Sequence, residues 1–175
     1  MAKMNYLAKW LLVFLAIGFG PFSTSMAQES EILSPVAQKA RAIVEAACDY
    51  IGAHSNDMPA VQHVLRNDPR FLDRKNALYV FVHRYDAARK EAIVCAHGTR
   101  PELIGKNMWS LRTPNGRLLF HEIARLVEKD GEGWIEYDWL NPFADRLQTK
   151  LSYVKRVLLG DGRKIWVGCG LWKEN

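Results

Sequence analysis

The sequence predicts an α+β domain, in which helices lie against a mainly antiparallel β-sheet. Apolar residues recur at three- and four-residue spacing over residues 34–65, which is typical of amphipathic helices. From residue 78 onward the period changes to two in most segments, and short turns separate them, as in antiparallel strands. The 175 residues, 49% of them apolar, suffice for one hydrophobic core.

The helical spacing predicts three amphipathic helices, over residues 34–54, 58–65 and 118–129. Ser34 is placed to cap the start of the first helix, and Gly131 is placed to end the third. Asn67-Asp68-Pro69 is a strong turn signal that closes the second helix.

The two-residue period predicts five strands, over residues 78–85, 91–97, 134–140, 147–159 and 164–172. A short polar turn joins the first two strands, which we therefore expect to form an antiparallel hairpin. Residues 98–116 form a long connection, and connections of this length inside a domain are usually functional or partly structured.

The first 27 residues have the pattern of a secretory signal peptide. Lys3 and Lys9 precede the apolar segment 10–20, which is too short to span a bilayer as a helix, and Ser25-Met26-Ala27 suits cleavage after Ala27. We expect a periplasmic protein whose domain covers residues 28–175, with an uncleaved membrane anchor as the alternative. The net charge of +5 is modest and the basic residues are scattered, so nucleic acid is not an expected partner.

Six short motifs, in this order, resemble the single Cache domain of bacterial extracytoplasmic sensors. They are Leu78-Tyr79-Val80-Phe81-Val82, Ala96-His97, Leu103-Ile104-Gly105-Lys106-Asn107, Gly131-Glu132-Gly133-Trp134-Ile135-Glu136-Tyr137, Lys150-Leu151-Ser152-Tyr153-Val154-Lys155-Arg156 and Trp166-Val167-Gly168-Cys169-Gly170. The resemblance implies a PAS-like fold with a five-stranded antiparallel sheet in the order 2-1-5-4-3. It also implies a long N-terminal helix on one face, a pocket for a small ligand, often a carboxylate, on the other, and a sensing role in a chemoreceptor or histidine kinase.

The sequence departs from the family pattern at two places that bear on function. His97 is followed by Gly98 where the family generally has His-Pro, which predicts a looser loop around the histidine. Neither a second membrane helix nor a signalling domain follows Trp172. We therefore expect this domain to act with a separate membrane receptor or kinase.

The resemblance nominates six ligand-binding residues: His97, Trp109, Tyr137, Trp139, Lys150 and Tyr153. Lysine supplies a point charge, tyrosine and histidine supply hydrogen-bond donors, and tryptophan supplies an apolar wall. Strand alternation puts Lys150 and Ser152 on one face and Tyr153 and Lys155 on the other, so only one pair faces the ligand. The sequence analysis ranks Tyr153 above Lys150. The alternative roles are core packing for Tyr137 and Trp139 and a loop cap for His97.

Cys48, Cys95 and Cys169 match no metal-binding or haem-attachment spacing, and the sequence predicts no cofactor. We expect them to be small buried hydrophobes, with one oxidised pair as the alternative. The strand order implied by the resemblance places Cys95 and Cys169 too far apart for a disulfide. Glu132, Glu136 and Asp138 are expected to be solvated strand ends.

The sequence therefore predicts a non-enzymatic module that binds a small organic acid. A second hypothesis is a protein-interaction scaffold without a pocket, which would use exposed aromatic residues such as Trp172. A hydrolase or metal-dependent enzyme is a weaker third. His121-Glu122 lacks the second histidine of a zinc protease, and the sequence has no G-x-S-x-G, glycine-rich phosphate loop or CxxC motif. The sequence specifies neither the ligand nor the oligomeric state.

Overall fold

The computed structural model describes residues 34–173. The predicted leader and its cleavage site after Ala27 lie outside these residues. The elements are α1 (Pro35–His54), α2 (Met58–Asn67), β1 (Leu72–Asp73), β2 (Leu78–Tyr79), β3 (Phe81–Asp86), β4 (Glu91–His97), a 3₁₀ turn (Pro101–Leu103), α3 (Leu119–Asp130), β5 (Glu132–Asn141), β6 (Arg146–Leu158) and β7 (Lys164–Trp172). Among these, no helix combines the length and the apolar character needed to cross a bilayer.

Side-chain caps fix where the first two helices begin. The Ser34 Oγ accepts a hydrogen bond from the Ala37 N–H at 3.2 Å, and the Asp57 carboxylate accepts one from the Ala60 N–H at 3.0 Å. Each bond satisfies an N–H that has no partner within the helix itself. The predicted starts of both helices are therefore confirmed.

Five strands form one antiparallel sheet in the order β4-β3-β7-β6-β5. This is the order that the resemblance implies, counted over the five strands of that sheet. The long helix α1 packs on β6 and β7 from one face, and α3 packs against β5 and β6 from the other. The predicted α+β class and the long N-terminal helix on one face are confirmed.

The predicted strand 78–85 is divided in two at Val80. Leu78 and Tyr79 form β2, which pairs with β1 in a separate two-stranded sheet, and β3 starts only at Phe81. The Gly98 N–H donates a 2.8 Å hydrogen bond to the Val80 carbonyl, so the carbonyl at the break has a partner. The chain therefore passes from the small sheet to the large one without an unsatisfied carbonyl at Val80.

A β-bulge at Cys95 changes the face of the sheet to which the last side chains of β4 point. Val82 pairs with Ala96 but His83 pairs with Val94, so Cys95 has no partner residue on β3. The Cys95 carbonyl accepts a 2.8 Å hydrogen bond from the Gln62 side chain of α2 instead. Without the extra residue, Val94 and His97 would point to opposite faces, whereas here both line the same cavity.

The two outer strands of the sheet differ in how their edges are covered. Backbone bonds from residues 105–108 cover β4, among them Val94 N–H to the Lys106 carbonyl at 3.0 Å and Met108 N–H to the Ala92 carbonyl at 2.9 Å. On β5, the Arg117 guanidinium donates to the Glu136 carbonyl at 2.8 Å. Within residues 34–173, no second strand pairs with this edge of β5.

All three cysteines are free thiols, and two of them are buried in the core between the sheet and α1. Burial raises the pKa of Cys48 and that of Cys169 to about 12, which keeps both thiols protonated and unreactive. The structure therefore agrees with the expectation of small buried hydrophobes for Cys48 and Cys169, whereas Cys95 is half-buried.

Replacing Gly168 with alanine should destabilise the fold, because its Cβ would lie 2.3 Å from the Phe81 ring. We expect a loss of about 1–3 kcal/mol in the free energy of unfolding, the usual cost of overpacking. Gly52→Ala is the matched control, since nothing lies within 4 Å of its Cβ position in α1. That variant should gain about 0.5–1 kcal/mol in the free energy of unfolding. Urea unfolding measures both changes, and an equal gain in both variants would show that Gly168 has free space at its Cβ position.

Candidate functional site

A cavity of ≈ 30 Å³ lies between the sheet and α3. Since roughly 10–15 Å³ of such space holds one water molecule, any guest must be small. Most of the lining is aromatic or aliphatic. Within residues 34–173 it contains one lysine and no carboxylate, and its polar members are Tyr79, His83, His97, Tyr137, Trp139 and Lys150.

Lys150 supplies the positive charge of this cavity, and its side chain is only 1% exposed. The ammonium lies 3.9 Å from the ring centre of Tyr79, 4.9 Å from that of Trp172 and 5.1 Å from that of Phe81. Among the described residues it makes no hydrogen bond and no ion pair. Burial lowers the pKa of Lys150 to about 7, because no carboxylate compensates for the lost hydration.

The three rings around the amine come from three separate elements. Tyr79 belongs to β2, Phe81 to β3 and Trp172 to the end of β7. The Trp172 indole N–H donates a 3.2 Å hydrogen bond to the Ala77 carbonyl, which fastens the β1–β2 hairpin to β7. The aromatic enclosure therefore depends on contacts between distant parts of the chain.

His97 has one nitrogen occupied by the following loop. Its Nδ1 accepts hydrogen bonds from the backbone N–H groups of Thr99 at 3.3 Å and Arg100 at 3.1 Å. Burial, with Lys150 nearby, holds the pKa of His97 well below its ordinary value, so the ring is neutral. The proton of this neutral imidazole must then be on Nε2, which leaves a hydrogen-bond donor free of protein partners among the described residues.

The loop after His97 is held firmly, contrary to the expectation from Gly98. The two bonds to Nδ1 and the bond from Gly98 N–H to Val80 both anchor it, and proline could not donate the latter. A Cβ at Gly98 would also lie 2.9 Å from the Tyr79 Cβ. Glycine therefore allows a close backbone approach here.

Tyr137 brings a hydroxyl to the same face of the sheet. Its oxygen lies 3.0 Å from the Ser152 Oγ, and either group can donate. Gly170 stands opposite Ser152 in the register, and a Cβ there would lie 2.3 Å from that Oγ. The absence of a side chain at Gly170 therefore makes room for the hydroxyl pair.

His83 is a second histidine of the cavity, and it is not among the six residues nominated from the sequence. It is 4% exposed, and its ring stacks on that of Trp166 at 5.4 Å between centres. Burial lowers the pKa of His83 to about 3, so the ring is neutral. Its position two residues after Phe81 on β3 was the available signal, since residues two apart on a strand share a face.

A family model described as the Cache domain matches residues 63–158, more than half of the 175-residue chain. The chain belongs to the Cache domain family. Cache domains are extracytoplasmic sensor domains, and the PAS-like sheet with its pocket opposite the long helix is the arrangement found here.

Three solved structures are similar over most of the Cache domain. A periplasmic sensor domain of a chemotaxis protein is 29% identical, with a TM-score of 0.64, and covers 85% of this chain and 99% of that one. A Cache chemosensory domain whose structure explains its carboxylic acid recognition is 23% identical, with a TM-score of 0.59 and coverage of 85% and 95%. A methyl-accepting chemotaxis protein from Vibrio parahaemolyticus is 18% identical, with a TM-score of 0.63 and coverage of 83% and 94%.

The Cache cavity brings together four of the six residues nominated from the sequence: His97, Tyr137, Trp139 and Lys150. Tyr153, which the sequence analysis ranked above Lys150, lies on the opposite face against α1. There the Arg41 guanidinium sits 5.1 Å from its ring centre and Trp134 packs at 5.2 Å. The register of β6 runs without a bulge, so residues 150 and 153 must face opposite ways.

Trp109 is also outside the cavity lining. Its ring packs on His121 of α3, with 4.1 Å between ring centres, and it belongs to the core around that helix. Its place in the long connection 98–116 gave no periodic pattern from which to predict this direction.

The acidic residues of the outer strand β5 form ion pairs and a hydrogen bond with neighbouring side chains. Glu132 pairs with Lys155 at 2.6 Å, Glu136 pairs with Lys173, and the Asp138 carboxylate accepts a 2.9 Å bond from the Thr149 hydroxyl. Over residues 34–173, no group of His, Cys, Asp or Glu side chains has the arrangement of a metal site.

The depressed pKa of Lys150 predicts a pH-dependent stability. Between pH 7 and pH 10.5 the unfolded chain binds a proton that the folded chain lacks, so the free energy of unfolding should rise with pH in that window. Relative to Lys150→Met, the rise should reach about 1.4 kcal/mol per pH unit. Urea unfolding of both proteins at about pH 6, 8 and 9.5 measures it, and a constant difference would contradict a desolvated amine.

Proposed function

We propose that this Cache domain is a periplasmic sensing module that binds one small monocarboxylate at Lys150. The observation that supports it is the amine itself, which is buried, has no counter-ion among residues 34–173 and lines a cavity whose described residues include no carboxylate. A ligand carboxylate would supply the missing negative charge. Charge-assisted hydrogen bonds of this kind are among the strongest that proteins make.

Two neutral donors support carboxylate binding beside the amine. The Nε2–H of His97 and the hydroxyl of Tyr137 line the same cavity as Lys150. Aromatic and aliphatic side chains form the remaining wall and exclude water from around the ion pair, which strengthens it. A ligand of about five non-hydrogen atoms reaches a Kd on the order of micromolar at best, given the ceiling of roughly 1.5 kcal/mol per atom.

The scaffold hypothesis is less favoured, because Trp172, the aromatic residue it names, packs over Lys150 instead. The Trp172 ring lies over the Lys150 ammonium and its N–H is bonded to Ala77, so it is not free for a partner. A pocket is also present, with polar groups converging on it.

The β5–β6 hairpin offers a route from the cavity to a separate membrane receptor or kinase. Leu140, Phe143 and Leu147 are exposed apolar residues at its tip. The Phe143 ring lies 6.2 Å from that of Tyr79, which in turn lies 3.9 Å from the Lys150 ammonium. A ligand that draws the Lys150 amine away from Tyr79 would therefore change the packing of Tyr79 against Phe143 at this exposed apolar tip.

Lys150→Met should weaken the binding of acetate or propionate at least tenfold, because it removes the charge that pairs with the carboxylate. The methionine side chain preserves most of the volume. Isothermal titration calorimetry of the soluble domain measures the effect. Since the substitution removes an uncompensated buried charge, the variant should fold at least as stably as the wild type.

Tyr153→Phe is the matched control, since Tyr153 lies on the same strand but on the opposite face. We expect its affinity for both acids to stay within about twofold of the wild type, because its hydroxyl contacts no ligand. A large loss in Tyr153→Phe with unchanged binding in Lys150→Met would place the ligand on the other side of the sheet.

The charge of the lining predicts selectivity among small acids. Acetate and propionate should bind, whereas glycine and malonate should bind at least tenfold more weakly. The described lining offers no carboxylate for the ammonium of glycine and no second cation for malonate. Thermal-shift titration of the four compounds tests this order, and equal shifts with glycine and acetate would contradict recognition by a single cation.

A further inference from the structure

His83 is a buried polar group that carboxylate binding at Lys150 leaves without a partner. Its Nδ1 is fully buried and makes no hydrogen bond, and no partner for Nε2 is found among residues 34–173. The ring lines the cavity together with Lys150, yet its closest ring neighbours are Phe120, Phe81 and Trp166. The cavity thus has a charged part at Lys150 and an uncharged polar part at His83.

A buried imidazole without hydrogen-bond partners destabilises the fold, whereas an aromatic hydrocarbon ring in its place would leave no polar atom unpaired. A neutral imidazole carries one N–H donor and one bare nitrogen acceptor. Because Nδ1 is fully buried, a ligand in the cavity would meet Nε2, and a hydroxyl group, which both donates and accepts, can bond to that nitrogen in either tautomer.

We infer that His83 binds a hydroxyl group of the ligand whose carboxylate lies at Lys150, so that the preferred ligand is a short hydroxy-monocarboxylate. This inference rests on the proposed function, because it takes the carboxylate position at Lys150 as given. It adds a group that discriminates among acids of the same charge and size. A site built to hydrogen-bond a hydroxyl rejects analogues that lack it far more strongly than an apolar site rejects small changes in shape.

The charges near His83 exclude the other polar groups that a small acid can carry. Its depressed pKa keeps the ring neutral, and Lys150 is the single cation of the described lining, so a second carboxylate would have no partner charge. An ammonium group would have no carboxylate there and would lie in the field of Lys150. A hydroxyl is the polar substituent that needs no counter-ion.

Two pairs of acids of equal size test this inference. Glycolate and propionate differ by exchange of a hydroxyl for a methyl group, and 3-hydroxypropionate and butyrate differ in the same way one carbon further out. Calorimetry on the soluble domain should show the hydroxy acid binding at least tenfold more tightly than its methyl counterpart in one or both pairs. His83→Phe should abolish that preference while leaving propionate or butyrate bound as tightly as before, or more tightly.

His121→Phe is the matched control. The His121 Nε2 is also buried with no partner in the described part of the chain, but the ring packs on Trp109 outside the cavity lining. This variant should keep the wild-type preference. A second measurement on the unmutated domain covers the case in which His83→Phe does not fold: the ring ¹⁵N signals of His83 should shift with the hydroxy acid and much less with its methyl counterpart.

The outcomes separate the two proposals. If none of the four acids binds the wild type, carboxylate binding at Lys150 fails, and the inference with it. If the acids bind but the wild type does not discriminate within either pair, the role of His83 is refuted while carboxylate binding stands. A preference that survives in His83→Phe, or that comes without a shift of the His83 signals, also refutes it.

Discussion

The uncompensated ammonium of Lys150 is the constraint around which the cavity is organised. A buried lysine without a counter-ion is costly, and three aromatic rings from β2, β3 and β7 supply the compensation that the protein itself provides. Cation–π contacts are worth about 2 kcal/mol when desolvated, which is less than the cost of removing an ammonium from water. Without a ligand, the positive charge of Lys150 is therefore only partly compensated.

Two glycines and one β-bulge determine which groups surround this amine. Gly168 lets the Phe81 ring lie across β7, and Gly170 leaves space for the Ser152 hydroxyl beside Tyr137. The extra residue at Cys95 turns His97 toward the amine, and Gln62 satisfies the carbonyl that the bulge exposes. Each of these features is local, and together they determine which side chains face the cavity.

Periodicity was enough to predict the helices, the five strands of the main sheet and the opposite directions of Lys150 and Tyr153. It could not decide which face holds the cavity, because that depends on which helix covers each face. For this reason the sequence could not show that Lys150 lines the cavity and that Tyr153 faces α1. The bulge was also hidden, since nothing in Glu91–His97 marks an extra residue, and the direction of Trp109 depends on packing within a long irregular connection. His83 was missed because a histidine among apolar strand residues has the same pattern whether it faces a core or a cavity.

The unequal edges of the sheet have a consequence for solubility. Residues 105–108 close the β4 edge, but β5 is ten residues long and exposes backbone groups along its outer side. Such an edge is a template for pairing with another chain. Glu132, Glu136 and Asp138 lie along it with their partners Lys155, Lys173 and Thr149, and pairing two β5 strands would remove water from these charged groups. These acidic residues therefore protect against aggregation at the edge that hydrogen bonding leaves open.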